Sequence, residues 1–188
     1  MDVSAFLTPN DVLDLAVLGV TGERARTAQE IVAVVKRVGG PRFQPTGEVI
    51  ADRVAALAEA GLVAPRPGRA SGEPVWQPSA AGRAHIHRLL VMRGGSPGEA
   101  LAAVCARLKI CFLGMIGPKA RGAVLEDLLT AHRRALSEAR AALGGCPCRC
   151  PLVQRCLARD VERWEAEIAW LEALRFEVEV GSSRATPG

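Results

Sequence analysis

Apolar residues recur at helical spacing through most of the first ninety positions. The segment that follows Thr27 places Ile31, Val35 and Val38 on one face before it reaches Gly39. Steps of three and four residues between apolar positions are typical of an amphipathic helix that packs one side against a core. We therefore predict a helix between Thr27 and Gly39.

Capping residues predict three more helices in this half. Thr8-Pro9 pairs an N-cap hydroxyl with a proline at the first helical position. A second helix runs from Thr46 and stops at Gly61, and a third follows Ser79 through about Met92.

Two short extended runs, 62–64 and 74–77, flank a turn rich in proline, glycine and arginine. This pattern predicts a β-hairpin. Three helices, a basic hairpin and a fourth helix are the parts of a winged helix, whose third helix enters the major groove of DNA while the hairpin lies along the backbone. The predicted fold is mainly α with a small β-hairpin wing: an N-terminal winged helix-turn-helix and a C-terminal helical dimerisation domain.

A glycine- and proline-rich run at 93–98 is the clearest division of the chain. It predicts a winged-helix DNA-binding domain over 5–93 and a helical dimerisation domain over 97–175. The small polar residues of 181–188 predict a disordered tail.

The C-terminal half carries apolar stripes on long helices. One stripe steps through Leu125, Leu129, Leu136 and Leu143, and another comprises Trp164, Ile168 and Leu171. Heptad-like stripes require a partner helix. We expect these residues to build a homodimer, and the alternative is a hairpin that closes the stripes within one chain.

Four of the six cysteines fall close together, at Cys146, Cys148, Cys150 and Cys156. In a protein without secretion signals such clustering suggests metal or redox chemistry rather than structural disulfides. Three interpretations stay open: a site for zinc or another thiophilic metal, a set of oxidisable thiols, or a plain connection.

Composition narrows the class of protein. The chain has 188 residues, of which 49% are hydrophobic and 4% aromatic, and its net charge is +4. No apolar run approaches the ~18 residues that a membrane span needs, so we expect a cytoplasmic protein without membrane contact. The sequence contains no phosphate-binding glycine loop, zinc-hydrolase histidine pair or nucleophile elbow, and we expect no enzyme activity.

Basic residues concentrate where the winged helix is predicted. Residues 24–93 hold 11 basic and five acidic side chains. The candidate contacts to DNA are the residues at the start of the third helix, on that helix and in the wing: Arg42, Thr46, Arg53, Arg66 and Arg69. Arginine donates paired hydrogen bonds to phosphates and to guanine edges, whereas the bland alternative is a solvated surface.

Three stretches of this half resemble the PadR family of transcriptional regulators. They are Leu7-Thr8-Pro9 with the helix after it, the run 53–63 that leads from the third helix into the wing, and Trp76-Gln77-Pro78-Ser79-Ala80-Ala81-Gly82-Arg83 after the wing. The likeness implies a winged-helix DNA-binding domain and a C-terminal helical domain that forms a dimer. The third helix departs from the family at Gly47-Glu48-Val49-Ile50, where Thr and Tyr usually stand at the second and fourth positions.

These observations favour a homodimeric transcriptional regulator that binds double-stranded DNA. Regulation by a small-molecule effector or at the cysteine loop is a further expectation. The alternatives are a winged-helix module that binds protein instead of DNA, and a metal or thiol-redox protein.

Overall fold

The computed structural model describes residues 6–68 and 73–184. Within them the chain forms seven α-helices and one antiparallel sheet of two strands. In chain order the elements are α1 (Pro9–Glu23), α2 (Ala28–Gly39), α3 (Gly47–Glu59), β1 (Val63–Pro67), β2 (Pro74–Pro78), α4 (Ala80–Val91), α5 (Ala100–Phe112), a 3₁₀ turn (Leu113–Met115), α6 (Pro118–Gly145) and α7 (Pro151–Arg184). The predicted mainly α fold with a small β-hairpin is confirmed, and dimerisation by the C-terminal helices stays a prediction.

The first helices begin where their capping residues predict. The Thr8 hydroxyl accepts from the backbone N–H of Asp11, and the Asp11 carboxylate accepts from the backbone N–H of Thr8, so α1 has a complete capping box. Burial alone would raise the pKa of Asp11, but the hydrogen bonds from Thr8 outweigh burial and lower it. The α3 helix ends at Gly61, whose φ of 68° is a left-handed conformation that suits glycine.

The contacts divide the chain into two compact units. The first contains residues up to Gly95 together with Ala100–Ile116. Helix α5 thus belongs to the winged unit, whereas sequence alone assigns the segment from 97 to the second domain. The reason is packing: the Phe112 ring lies against Gly19 of α1, where an added Cβ would be 2.3 Å from it.

Strand β2 of the wing pairs with β1 and also with the α1–α2 connection, a contact that sequence patterns do not predict. Arg26, in the connection between α1 and α2, forms an antiparallel bridge with Trp76 of β2. The Trp76 N–H donates to the Arg26 carbonyl at 2.7 Å, and the Arg26 N–H donates back at 3.1 Å. Because both backbones are bonded, the wing is fixed to the body of the first unit.

The second unit is formed mainly by α6 and α7, which pair as an antiparallel hairpin. Ion pairs between the two helices, Arg133–Glu172 at 2.9 Å and Arg140–Glu165 at 2.6 Å, fix the register. Helix α7 continues through Arg184, four residues into the predicted tail, and residues 185–188 lie outside the described part of the chain. None of the helices in the described ranges has the length and apolar character of a membrane span.

Candidate nucleic-acid interface

The outer face of α3 carries acidic side chains among small or apolar ones. Its inner face buries Ile50, Val54 and Leu57, which fixes the opposite face toward solvent. Among its exposed residues, the charged ones are Glu48, Asp52 and Glu59, and the others are Gly47, Val49, Ala51, Ala55 and Ala56. In the described structure, α3 therefore presents hydrogen-bond acceptors outward and no free cation.

Arg53 is the cation of α3, and it points inward. Its Nη2 donates to Oδ2 of Asp14 at 2.7 Å, and its Nε donates to the other carboxylate oxygen. Asp14 lies on α1 and is 4% exposed. The Asp14 hydrogen bond raises the pKa of Arg53. The guanidinium predicted to contact DNA is thus already engaged inside the protein.

Two of the predicted DNA contacts stand at the entrance to α3. Thr46 is the N-cap, and its hydroxyl oxygen accepts from the backbone N–H of Val49 at 3.3 Å. The hydroxyl hydrogen can still donate outward, because Thr46 is exposed. Arg42 precedes it and is also exposed. A threonine hydroxyl, an arginine and the positive end of the helix dipole are suited to a phosphate group.

Arg66 lies on the exposed part of β1. The Gln77 amide, oriented with its oxygen toward Arg66, accepts from Nη2 at 2.7 Å and from Nε at 2.6 Å. This contact holds the guanidinium over the surface of the hairpin. Arg69, the other predicted wing contact, lies outside the described residues.

The junction between α3, the wing and α4 explains the Ser-Ala-Ala-Gly run. The Ser79 hydroxyl caps α4 by accepting from Gly82 N–H at 3.0 Å, and it donates to the Gly61 carbonyl at 2.6 Å. A Cβ at Gly82 would lie 2.0 Å from the Leu62 carbonyl oxygen. Only glycine permits this approach, so α4 closes directly onto the end of α3.

The residues predicted to dimerise lie largely inside a single chain. Leu125 and Leu129 are 0% exposed, Leu171 is 1% and Trp164 is 8%. The others, Leu136, Leu143 and Ile168, are half-buried. Trp164 meets the edge of His132 with ring centroids 5.6 Å apart. These stripes are therefore mostly satisfied without a second copy, and their part in a dimer stays a prediction.

A different apolar face of α7, which is not among the predicted stripes, is open to solvent. Trp170 is 51% exposed and Phe176 is 67% exposed. Alanines at 166, 169 and 173 share their side of the helix and are exposed as well. We call these five residues the α7 outer stripe. The signal was in the sequence, since the positions follow steps of three and four, but the neighbouring Trp164 stripe appeared stronger.

The structure does not bring the four clustered cysteines together as a metal site. No group of three histidine, cysteine, aspartate or glutamate side chains in the described ranges is arranged to hold a metal ion. Cys146, Cys148 and Cys150 lie along the extended α6–α7 connection, and Cys156 follows inside α7. A metal at these residues stays one of the three interpretations of the sequence.

Cys150 differs from the other thiols in its surroundings. Its carbonyl accepts from Gln154 N–H at 3.1 Å, which makes it the N-cap of α7. Hydrogen bonds from the backbone N–H groups of Val153 and Leu152 lower the pKa of its exposed thiol. Burial instead raises the pKa of Cys105 to about 11.

We expect Cys150 to be alkylated by iodoacetamide well before Cys105 at neutral pH. A lowered pKa leaves more thiolate, and the thiolate is the nucleophile. The alkylation rate at Cys150 should rise with pH and reach its plateau at a lower pH than the alkylation rate of an ordinary thiol. Peptide mass spectrometry over time measures both.

The Cys150→Ser variant should lose the fast reaction and Cys148→Ser should keep it. A fast reaction that survives Cys150→Ser would refute the assignment.

No family model matches the chain, and no curated protein does. Several solved structures of Bacillus subtilis PadR are similar to it. The complex with operator DNA has 18% identity and a TM-score of 0.42, with 89% of this chain and 99% of that chain covered. The complex with p-coumaric acid has 18% identity and a TM-score of 0.42 over 92% and 98% of the two chains. PadR alone has 17% identity and a TM-score of 0.41 over 93% and 99%.

Proposed function

We propose that this protein is a transcriptional regulator that binds duplex DNA through its first unit as a homodimer. The observation that supports this most is the arrangement around α3, where the exposed cations flank the helix instead of lying on it. Arg42 and Thr46 stand before the helix, and Arg66 stands on the wing after it. Flanking cations suit phosphates on either side of a groove, and such contacts position a protein on DNA.

The acidic outer face of α3 then faces base edges. Carboxylates in the major groove accept hydrogen bonds from the amino group of cytosine. Glu48 and Asp52 are four residues apart and exposed on the same side of the helix. In this proposal they select sequence, while the arginines supply affinity.

The Arg42→Ala, Arg66→Ala double variant is expected to bind duplex DNA more weakly at every sequence. Each lost phosphate contact should flatten the dependence of log affinity on log salt by about 0.9, so the double variant should lose about 1.8. Fluorescence anisotropy with a random duplex across a salt series measures the slope.

Arg134→Ala is the matched control, because Arg134 is an exposed arginine on α6, paired with Glu138 at 3.0 Å and far along the chain from the wing. An unchanged slope in the double variant would remove these two residues from the interface. Absence of any salt-dependent binding by the intact chain would overturn the proposed function.

A second function is favoured by one observation, the acidic face itself. Glu48, Asp52 and Glu59 would repel phosphates that came close, and the exposed Val49 adds an apolar contact at 42% exposure. Such a face suits a basic segment of a partner protein. Salt-sensitive binding to duplex DNA separates the two functions, because only the first releases counterions from DNA.

For dimerisation we propose the α7 outer stripe as the contact. Trp170 and Phe176 are large, exposed apolar side chains on a helix of 34 residues, and a second copy of the same helix can cover them. Two copies would present two α3 helices, as dimeric regulators need for half-sites about one DNA turn apart.

Regulation is proposed at the start of α7. Oxidation of the Cys150 thiol would act beside the start of α7, in the unit proposed to dimerise. A small-molecule effector stays a prediction from the sequence. No enzymatic step is part of the proposal.

A further inference from the structure

A largely buried cluster of polar side chains joins three helices of the first unit. Asp14 of α1 receives both hydrogen bonds from Arg53 of α3. His85 of α4 approaches the same carboxylate, with Nε2 at 3.6 Å from Oδ2. Asp14 is 6% exposed in its side chain, against 25% for Arg53 and 18% for His85. The carboxylate is therefore the centre of the cluster and the most shielded of its members.

A contact between Arg88 and the other ring nitrogen orients the His85 ring. Arg88 Nη2 lies 3.2 Å from His85 Nδ1. A guanidinium can only donate, so Nδ1 accepts and the proton of the neutral ring is on Nε2. That buried Nε2 has no hydrogen-bond partner within the described residues and is directed to Asp14. Asp11 adds a second carboxylate that interacts with both His85 and Arg88.

A bidentate contact between arginine and carboxylate fixes orientation as well as distance. Arg53 sits near the middle of α3, and its guanidinium meets both Asp14 oxygens, which limits the range of rotations that the helix can take about its axis. At that rotation Glu48 and Asp52 are exposed. The apolar contacts of Ile50, Val54 and Leu57 select the buried face of the helix, and because such contacts are non-directional, the bidentate contact narrows the rotation further.

We infer that Asp14 is a positioning residue, which narrows the rotation of α3 through Arg53 and thereby determines which side chains reach the bases. Arg53 acts from inside the protein and does not contact phosphate. This inference rests on the proposed function and names the part of α1 that determines its specificity.

The test compares Asp14→Asn, Arg53→Met and Arg53→Lys in the full chain. For each, affinity is measured for a duplex selected by the unaltered protein from a random library and for a random duplex, both across a salt series. We expect the selected-to-random ratio to fall at least tenfold in Asp14→Asn and in Arg53→Met, with the salt slopes unchanged. Arg53→Lys should retain part of the ratio, because lysine keeps the charge but loses the bidentate contact.

Two comparisons guard against trivial explanations. All measurements are made below the onset of thermal unfolding of each variant, and Arg24→Met, which breaks an exposed ion pair with Glu30 at 3.2 Å, should change neither ratio nor slope. In the double variant Asp14→Asn, Arg53→Met the selected-to-random ratio should fall no further than in either single variant, since both substitutions remove the same contact. A slope that falls by about 0.9 in Arg53→Met but not in Asp14→Asn would mean that Arg53 binds phosphate, and the inference would be wrong.

Failure of the proposed function gives a different result. If the unaltered protein shows no salt-dependent DNA binding, that function is rejected. Amide hydrogen exchange then tests whether Asp14 positions α3. Exchange should then speed up along α3 in Asp14→Asn and Arg53→Met alike, with α2 unchanged. Unaltered exchange along α3 would overturn the inference.

Discussion

The Gly82→Ala variant is expected to lose about 3 kcal/mol of folding stability, at the upper end of the cost of inserting a methyl group into a packed site. The added Cβ would lie 2.0 Å from the Leu62 carbonyl oxygen and 3.0 Å from its carbon. Both are backbone atoms, so no side-chain rotation relieves the contact. The junction that Ser79 makes with Gly61 would have to open. Thermal and urea unfolding, followed by circular dichroism, give the change in free energy.

Gly47→Ala is the matched control for that experiment. Gly47 also stands in the first turn of a helix in the first unit, but nothing lies within 4 Å of a Cβ there. Alanine at 47 should leave stability unchanged or raise it, since alanine is the better helix former. Equal stabilities for the two variants would show that the α3–wing–α4 junction is looser than described.

The second large effect concerns the α7 outer stripe. The Trp170→Ser, Phe176→Ser double variant is expected to weaken dimerisation at least 100-fold, as loss of large aromatic anchors from an interface commonly costs more than about 2 kcal/mol each. Both side chains are more than half exposed in the single chain, so the monomer should fold normally. Sedimentation equilibrium measures the dissociation constant.

Leu152→Ser is the control, because Leu152 is 70% exposed on α7 but lies at the opposite end of the helix. It should dimerise like the unaltered protein. If the double variant dimerises equally well, the stripe is not the interface. The half-buried Leu136, Leu143 and Ile168 would then be the next candidates.

Local signals predicted the helix and strand boundaries well, because capping groups act within a few residues. Thr8, Thr27, Thr46 and Ser79 all cap the helices expected to follow them. Gly61 ends α3 as predicted. In each case the hydrogen bond that fixes the boundary joins residues three to five apart, so the sequence contains both partners in one window.

Contacts between distant segments were not predictable in the same way. The Arg26–Trp76 bridge consists of single residues and leaves no periodic pattern. Arg53 is a predicted DNA contact because arginine donates paired hydrogen bonds to phosphates and guanine edges, and only the fold brings Asp14, 39 residues away, to its guanidinium. The apolar stripes indicated burial, and one chain covers most of them, so their part in a dimer stays a prediction.

The packing of α5 within the first unit determines where this chain can be cut into separate units. A fragment ending near Gly95 would contain every helix and strand of the winged helix, yet it would lack Phe112, whose ring covers Gly19. It would also lack Lys109, whose Nζ donates to the Met92 carbonyl and which is 1% exposed. A hybrid regulator that joins this first unit to a foreign dimerisation module should therefore be fused after Ile116, because fusion at the glycine-rich run would expose an unfilled cavity in the transplanted half.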